Sequence, residues 1–289
     1  MESSTFSIKE AYKICEQITR SNYENFPIAT FLLPRAIKPH FYAIYAFCRK
    51  TDDIGDEEIG NRLEILDSWE AQLTATEIPN KDDPILVALK DTIKRFEIPI
   101  DPFLKLIEAN RMDQQHVRFR TFSELEGYCE NSANSVGEMV LYVTGNYSPE
   151  NLLLSDSTCT ALQITNFLQD IKRDFLVNRI YIPLEDMVRF KYSEEDLRNN
   201  LVNDQFREMM AFEVSRTKSL FEHGYNLVDR INGRFKLDIA LFNRGGLSIL
   251  KAIENQNFDV ITKRPTLSSK DKFKLLTTSL LRLVSSRRP

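Results

Sequence analysis

Glycine is scarce in this chain, nine in 289 residues. So few flexible positions disfavour a turn-rich β protein and suit helices joined by short loops. Cysteine is also sparse: Cys15, Cys48, Cys129 and Cys159 lie far apart and form no CxxC pair. Zinc and thiol-redox motifs are therefore not expected, and buried reduced thiols are. The three histidines, His40, His116 and His223, are equally scattered and lack metal-ligand spacing. Neither charge sign dominates. The net charge of -4 leaves no basic field for nucleic acid, so no nucleic-acid partner is expected. No apolar run approaches the roughly 18–20 residues of a membrane span. The first ten residues show no secretion-signal pattern, and the cytoplasm is the expected location. No GxGxxG fingerprint follows a strand, so NADPH is not expected.

What is present is helical periodicity. Segments of roughly 12–30 residues lie between short clusters of Gly, Pro and Asn. The 3–4 spacing of Leu63, Leu66, Trp69 and Leu73 is an example. No repeat, low-complexity stretch or composition shift marks a linker. The chain reads as all-α, one helical domain over 1–289. Thr121-Phe122-Ser123-Glu124 has the form of a capping box before a long helix. Ser193-Glu194-Glu195-Asp196 is a second helix start, with acids where the helix dipole favours them.

Two segments carry chemistry. Residues 41–57 read FYAIYAFCRKTDDIGDE. At about 100° per residue, Tyr45, Arg49, Asp52 and Asp56 fall within roughly 60° of one another. Phe41, Ile44 and Phe47 flank this stripe. Residues 163–174 read QITNFLQDIKRD. Gln163, Asn166, Asp170 and Asp174 share a second stripe about 80° wide, with Ile164, Phe167, Leu168 and Ile171 on the other face. One acidic pair at i, i+4 is common on a solvated helix. Two such stripes, each flanked by apolar residues, point instead to a site built for cations. Mg2+ takes oxygen ligands, usually one or two carboxylates plus phosphate oxygens. Ions held in this way make a diphosphate a leaving group. Arg49 adds a forked donor for the same phosphates.

These residues resemble the squalene/phytoene synthase family. Asp52-Asp53-Ile54-Gly55-Asp56 is similar to its DDxxD motif. Asn166, Asp170 and Asp174 are similar to its NxxxDxxxD motif, and Arg179-Ile180-Tyr181-Ile182-Pro183 to its R-[IV]-Y-[IL]-P. The resemblance covers roughly residues 8–275. It implies the isoprenoid synthase fold, a single helical bundle around a central cavity. It implies roughly two or three Mg2+ ions on Asp52, Asp56, Asn166, Asp170 and Asp174, with catalysis by these carboxylates, Tyr45 and Arg49. The isoprenoid diphosphate substrate would meet Asn25, Tyr128, Ser132, Val136, Gln163, Asn166, Gln169, Arg179 and Tyr181. Tyr128, Ser132 and Val136 share a helix face that would line the cavity; plain core packing explains Val136 equally well, and a turn or cap role explains Asn25.

Within the family, Tyr23-Glu24-Asn25-Phe26-Pro27, Leu32-Leu33-Pro34, Ser132 through Gly137 (SANSVG) and Gln169 resemble the bacterial hydroxysqualene synthases of hopanoid biosynthesis. That branch implies presqualene diphosphate as substrate and water capture of the rearranged cation, with Asn131, Ser132 and Asn134 as candidates to hold the water. Condensing members usually carry Arg where this chain has Gln169. Two other readings stay open: head-to-head condensation of two farnesyl diphosphates, and a non-catalytic relative that serves in binding or assembly. Residues 270–289 are basic and interleaved with apolar residues. They read either as a terminal helix docked on the bundle or as loose peripheral contact with the bacterial inner membrane.

Overall fold

The computed structural model describes residues 6–21, 33–75, 83–115, 117–231, 233 and 235–267. The motif at 23–27, with Asn25, and the basic stretch 270–289 lie outside them. The described residues are helical apart from connections and one isolated parallel bridge, Arg118 to Ile180. Among them no helix is long and apolar enough to cross a membrane. The chain resolves into two compact units, Met1–Gln115 with Asn131–Leu152, and His116–Glu130 with Leu153–Pro289.

The first unit holds α1 (Ile8–Ser21), α2 (Lys38–Asp56), α3 (Arg62–Thr74), α4 (Pro84–Phe96), α5 (Asp101–Met112) and α7 (Ser135–Val143). Its core forms around α2. Phe47 is fully buried, stacked on Trp69 at 5.7 Å and edge-on to Phe103 at 5.5 Å. The Trp69 indole N–H donates to the buried Thr51 hydroxyl at 3.0 Å, so the ring buries its area without stranding a donor. Tyr12 ties α1 to α2 and α4: its hydroxyl donates to Asp91 at 2.7 Å and lies 2.8 Å from His40 Nδ1 and 2.9 Å from Thr92 Oγ1. Helix α4 starts at Pro84, with Asp83 accepting from the Ile85 and Leu86 amides.

The second unit holds α6 (Phe122–Cys129), α9 (Leu184–Arg189), α10 (Glu194–Arg198), α11 (Asp204–Gly224), α12 (Leu227–Arg230), α13 (Phe235–Asn255) and most of the 28-residue α8 (Pro149–Leu176). Both sequence-predicted starts are present. Ser193 and Asp196 close a full capping box. Thr121 accepts from the Glu124 amide, while Glu124 reaches back one residue further, to the Arg120 amide at 2.6 Å. The long helix expected after Thr121 is interrupted, because residues Glu130–Asn134 form a π-turn between α6 and α7. Asn178, at φ 62°, turns the chain out of α8 in the left-handed conformation that Asn tolerates.

Two small residues set how closely the second unit's helices pack. A Cβ on Gly224 would meet Thr158 Oγ1 at 2.3 Å, and one on Gly246 would meet the fully buried Phe221 ring at 2.1 Å. Gly246→Ala gains roughly 1 kcal/mol in helix propensity but overpacks a ring that has no room to move. A net loss of about 1–2 kcal/mol is expected. It would be read as a lower urea midpoint with an unchanged slope.

Candidate functional site

The first stripe sits at the C-terminal end of α2. Phe41, Ile44 and Phe47 are buried, Tyr45 and Arg49 are half-buried, and Asp52 and Asp56 are exposed. Gly55 explains how Asp52 is held. A Cβ there would lie 2.3 Å from Asn110 Oδ1, so only glycine lets α5 approach this closely. Asn110 Nδ2 then donates to Asp52 Oδ1 at 3.3 Å. The Asp52 carboxyl is reachable by solvent yet crowded by protein. Burial, with repulsion from Asp56, outweighs the Asn110 amide and raises its pKa to about 7.

Arg62 finishes the helix, donating Nη1 to the Gly55 carbonyl at 3.0 Å, Nη2 to that of Asp56 at 2.8 Å and Nε to that of Glu58 at 3.0 Å. A guanidinium on the last carbonyls of a helix satisfies orphan acceptors and opposes the negative end of the dipole. It fixes the backbone that carries Asp56. Arg49 points its charge at different acids from those on its stripe. Its partners are Asp53 and, at 2.9 Å, Glu57. Its Nε is buried without a hydrogen-bond partner among the described residues.

The second stripe lies on α8, in the second unit. Ile164, Phe167, Leu168 and Ile171 are buried, while Gln163, Asp170 and Asp174 are half-buried and Asn166 is exposed. Asp170 receives both Nε and Nη2 of Arg264, at 2.6 and 2.7 Å. Next to it, the buried Gln169 amide donates to the Pro265 carbonyl. The segment around Lys263-Arg264-Pro265 thus lies along this face of α8.

Beneath the stripe, Tyr181 stacks on Phe167 at 3.7 Å with an interplanar angle of 4°. Tyr128 and Phe119 complete an aromatic cluster around that pair. The R-I-Y-I-P segment is thereby fastened to the helix that carries Asp170. Arg179 is half-buried beside it, its amide donating to the Asp174 carbonyl at 2.9 Å.

The π-turn lies between Tyr128 and Val136 in the chain. Tyr128 is buried in the aromatic cluster of the second unit. Val136 packs partly buried against the core of the first unit, and Met139 belongs to that core. On the π-turn the Ser132 Oγ is buried with no hydrogen-bond partner among the described residues. π-turns recur at functional sites, where the extra residue re-aims a side chain.

Among the described residues no three or more His, Cys, Asp or Glu side chains converge as a protein-only metal cage. The donors come as carboxylate pairs, one pair on each stripe. That set fits a divalent ion whose remaining ligands are phosphate oxygens and water. Asp52, crowded and pushed toward protonation, and Asp170, already holding a cationic side chain, are both acids that a cation stabilises.

A family model described as squalene/phytoene synthase matches residues 19–271. The chain belongs to that family. It is similar to squalene synthase HpnC from Alicyclobacillus acidocaldarius, with 40% identity over 87% of this chain and 96% of that one, at a TM-score of 0.84. A dehydrosqualene synthase solved with a ligand superposes at 0.86, with 26% identity over 96% and 98% of the two chains. A 15-cis-phytoene synthase of Synechocystis sp. is 36% identical over 96% of this chain and 86% of its own. The fold is accordingly the all-α isoprenoid synthase fold, and the protein is an enzyme that processes isoprenoid diphosphates.

If the two stripes hold ions against the diphosphate, Asp52→Ala and Asp170→Ala should each lower turnover roughly a thousandfold or more, since several kcal/mol of charge stabilisation is lost. Diphosphate release would be measured alongside circular dichroism. Near-normal turnover in either folded variant would remove that residue from the site.

Proposed function

We propose that this enzyme is a hydroxysqualene synthase: it ionises presqualene diphosphate, lets the cation rearrange, and captures it with water. The observation that carries this reading is Gln169. Condensation of two prenyl diphosphates brings two highly charged groups together, and the condensing relatives resembled here usually carry Arg at this position. In this chain the side chain is neutral, buried, and committed to the Pro265 carbonyl, so it adds no charge for a second diphosphate. The 40% identity to a solved protein named squalene synthase supports a C30 product. The domain is taken as 1–289, since the family match runs through both units.

In this reading Asp52, Asp56, Asn166, Asp170 and Asp174 hold Mg2+. When bound, the metal supplies neutralisation of the leaving diphosphate. Arg49 and Arg179 donate to phosphate oxygens. Tyr45 and Tyr128 turn ring faces toward positive charge. Gln163, Tyr181 and Val136 shape the wall, and Asn25 reaches the diphosphate. On the π-turn, the unpartnered Ser132 hydroxyl, with Asn131 and Asn134, holds the capturing water. The expected location is the bacterial cytoplasm, with residues 270–289 in loose contact with the membrane surface.

A second reading is favoured by the curated relatives. Those with 36% and 33% identity over 96% of this chain are named 15-cis-phytoene synthases. That points to condensation of two prenyl diphosphates. Product analysis by gas chromatography and mass spectrometry separates the two readings. Purified protein with Mg2+ would receive presqualene, farnesyl or geranylgeranyl diphosphate in separate tubes. Hydroxysqualene from the first alone is expected. A C30 or C40 hydrocarbon from either of the others would establish condensation instead.

A further inference from the structure

Helix α8 ends on two apolar side chains that face solvent. Leu176 is 77% exposed and Val177 63%. Single exposed apolar residues are ordinary on a protein surface, and Leu153, Val188 and Leu201 stand singly in this unit. Leu176 and Val177 are consecutive, and the turn that carries them is held in place. The Val177 and Arg179 amides donate to the Asp174 carbonyl at 3.1 and 2.9 Å, and the Asn178 amide donates to that of Phe175 at 3.0 Å. Arg118 donates Nη1 to the Asn178 carbonyl at 2.9 Å and Nη2 to its Oδ1 at 3.2 Å, with Nε fixed on Glu194 at 2.8 Å. The pair is a preformed tip, so docking it orders little that is not ordered already.

Cations collect behind this tip. Lys172 and Arg173 precede Leu176 and Val177 by four residues, one turn and about 6 Å back along the helix axis. Both are exposed. Arg173 lies 3.4 Å from Asp170, but that carboxylate already holds the forked Arg264, which leaves Arg173 charge for an outside partner. The exposed Lys263 precedes Arg264 in the segment that runs along α8. The same segment, pinned at Pro265 by Gln169, leads on to the basic stretch 270–289. A helix C-terminus is itself negative, and Arg118 on the Asn178 carbonyl answers that charge. An apolar tip with cations about 6 Å behind it matches the depth profile of an anionic bilayer. Apolar side chains reach about 5–10 Å into the boundary of headgroups and acyl chains, and Lys and Arg meet the lipid phosphates.

We propose that Leu176 and Val177 insert into an anionic lipid surface while Lys172, Arg173 and Lys263 engage its phosphates. The inference deepens the membrane contact proposed for residues 270–289 by giving the second unit a contact of its own, and it holds for either product. Asp174 stands two positions before the tip. Docking therefore brings the acidic stripe of α8 to the surface where an amphipathic prenyl diphosphate lies, its chain among the acyl tails and its charge among the headgroups.

The test is sedimentation of the full-length protein with vesicles of mixed phosphatidylglycerol and phosphatidylcholine, or of phosphatidylcholine alone. Wild type should bind the anionic vesicles and leave the neutral ones. Leu176→Ser/Val177→Ser and Lys172→Glu/Lys263→Glu should each weaken binding about tenfold or more, with diphosphate release from detergent-dispersed substrate unchanged. A third variant, Lys272→Glu/Lys274→Glu/Arg282→Glu, reports on the tail. Loss of binding in the tail variant with full binding in both tip variants would overturn the tip and leave the tail reading standing. Loss in the tip variants alone would establish the tip and remove the tail. No binding by wild type, or equal binding to neutral vesicles, would refute the anionic-surface contact altogether. Insertion is read separately in Val177→Trp: its emission should move to the blue with anionic vesicles, while Trp69, 3% exposed, contributes a constant signal. An unshifted spectrum on bound protein would also overturn the proposal.

Discussion

Carboxylates one helical turn apart repel each other, and the structure around both stripes answers that repulsion. On α2, Asp52 and Asp56 sit at the C-terminal end, where the helix dipole adds a further negative contribution. Arg62 counters the dipole at the carbonyls, and Asn110 gives Asp52 one neutral donor. Neither cancels the charge on the acids. Crowding by the protein is the larger effect on Asp52, repulsion from Asp56 adds to it, and together they raise its pKa to about 7. On α8 the answer is a full cation, Arg264, forked onto Asp170. The two stripes look alike in sequence, but they begin from different electrostatic states.

That difference depends on backbone contacts more than on the acids. Gly55 lets α5 come close enough for Asn110 to reach Asp52; any side chain there would push Asn110 away. Pro265 anchors the Arg264 segment by accepting the Gln169 amide. Tyr181 stacked on Phe167 keeps the chain that leaves α8 against the helix that carries Asp170. Each acid is thus positioned by a neutral neighbour whose own requirement is steric or hydrogen-bonded.

The periodic features were legible in the sequence. Helical spacing identified the fold class, and both stripes fall on the faces expected, with their apolar flanks buried. Local capping chemistry was equally readable at Thr121 and Ser193, as was the left-handed tolerance of Asn178. What could not be read depends on partners distant in the chain. Asn110 lies 58 positions from Asp52, and Arg264 lies 94 from Asp170. No periodicity connects such pairs. Arg49 shared an angular stripe with Asp52, but its long side chain reaches Asp53 and Glu57 instead. The π-turn was also hidden, because one extra residue per turn leaves the local composition unchanged.

The contrast between the stripes bears on how the proposed site would fill. A cation approaching Asp170 must share or displace a forked guanidinium whose two bonds are short and charge-assisted. One approaching Asp52 meets only a weak amide donor at 3.3 Å and an acid that burial has destabilised in its charged form. Asp52 is exposed, so a cation reaches it without displacing a cationic side chain. The first stripe therefore has more to gain from a metal. The second begins satisfied by the chain's own arginine, and that arginine, once released, is a forked donor whose geometry matches a diphosphate.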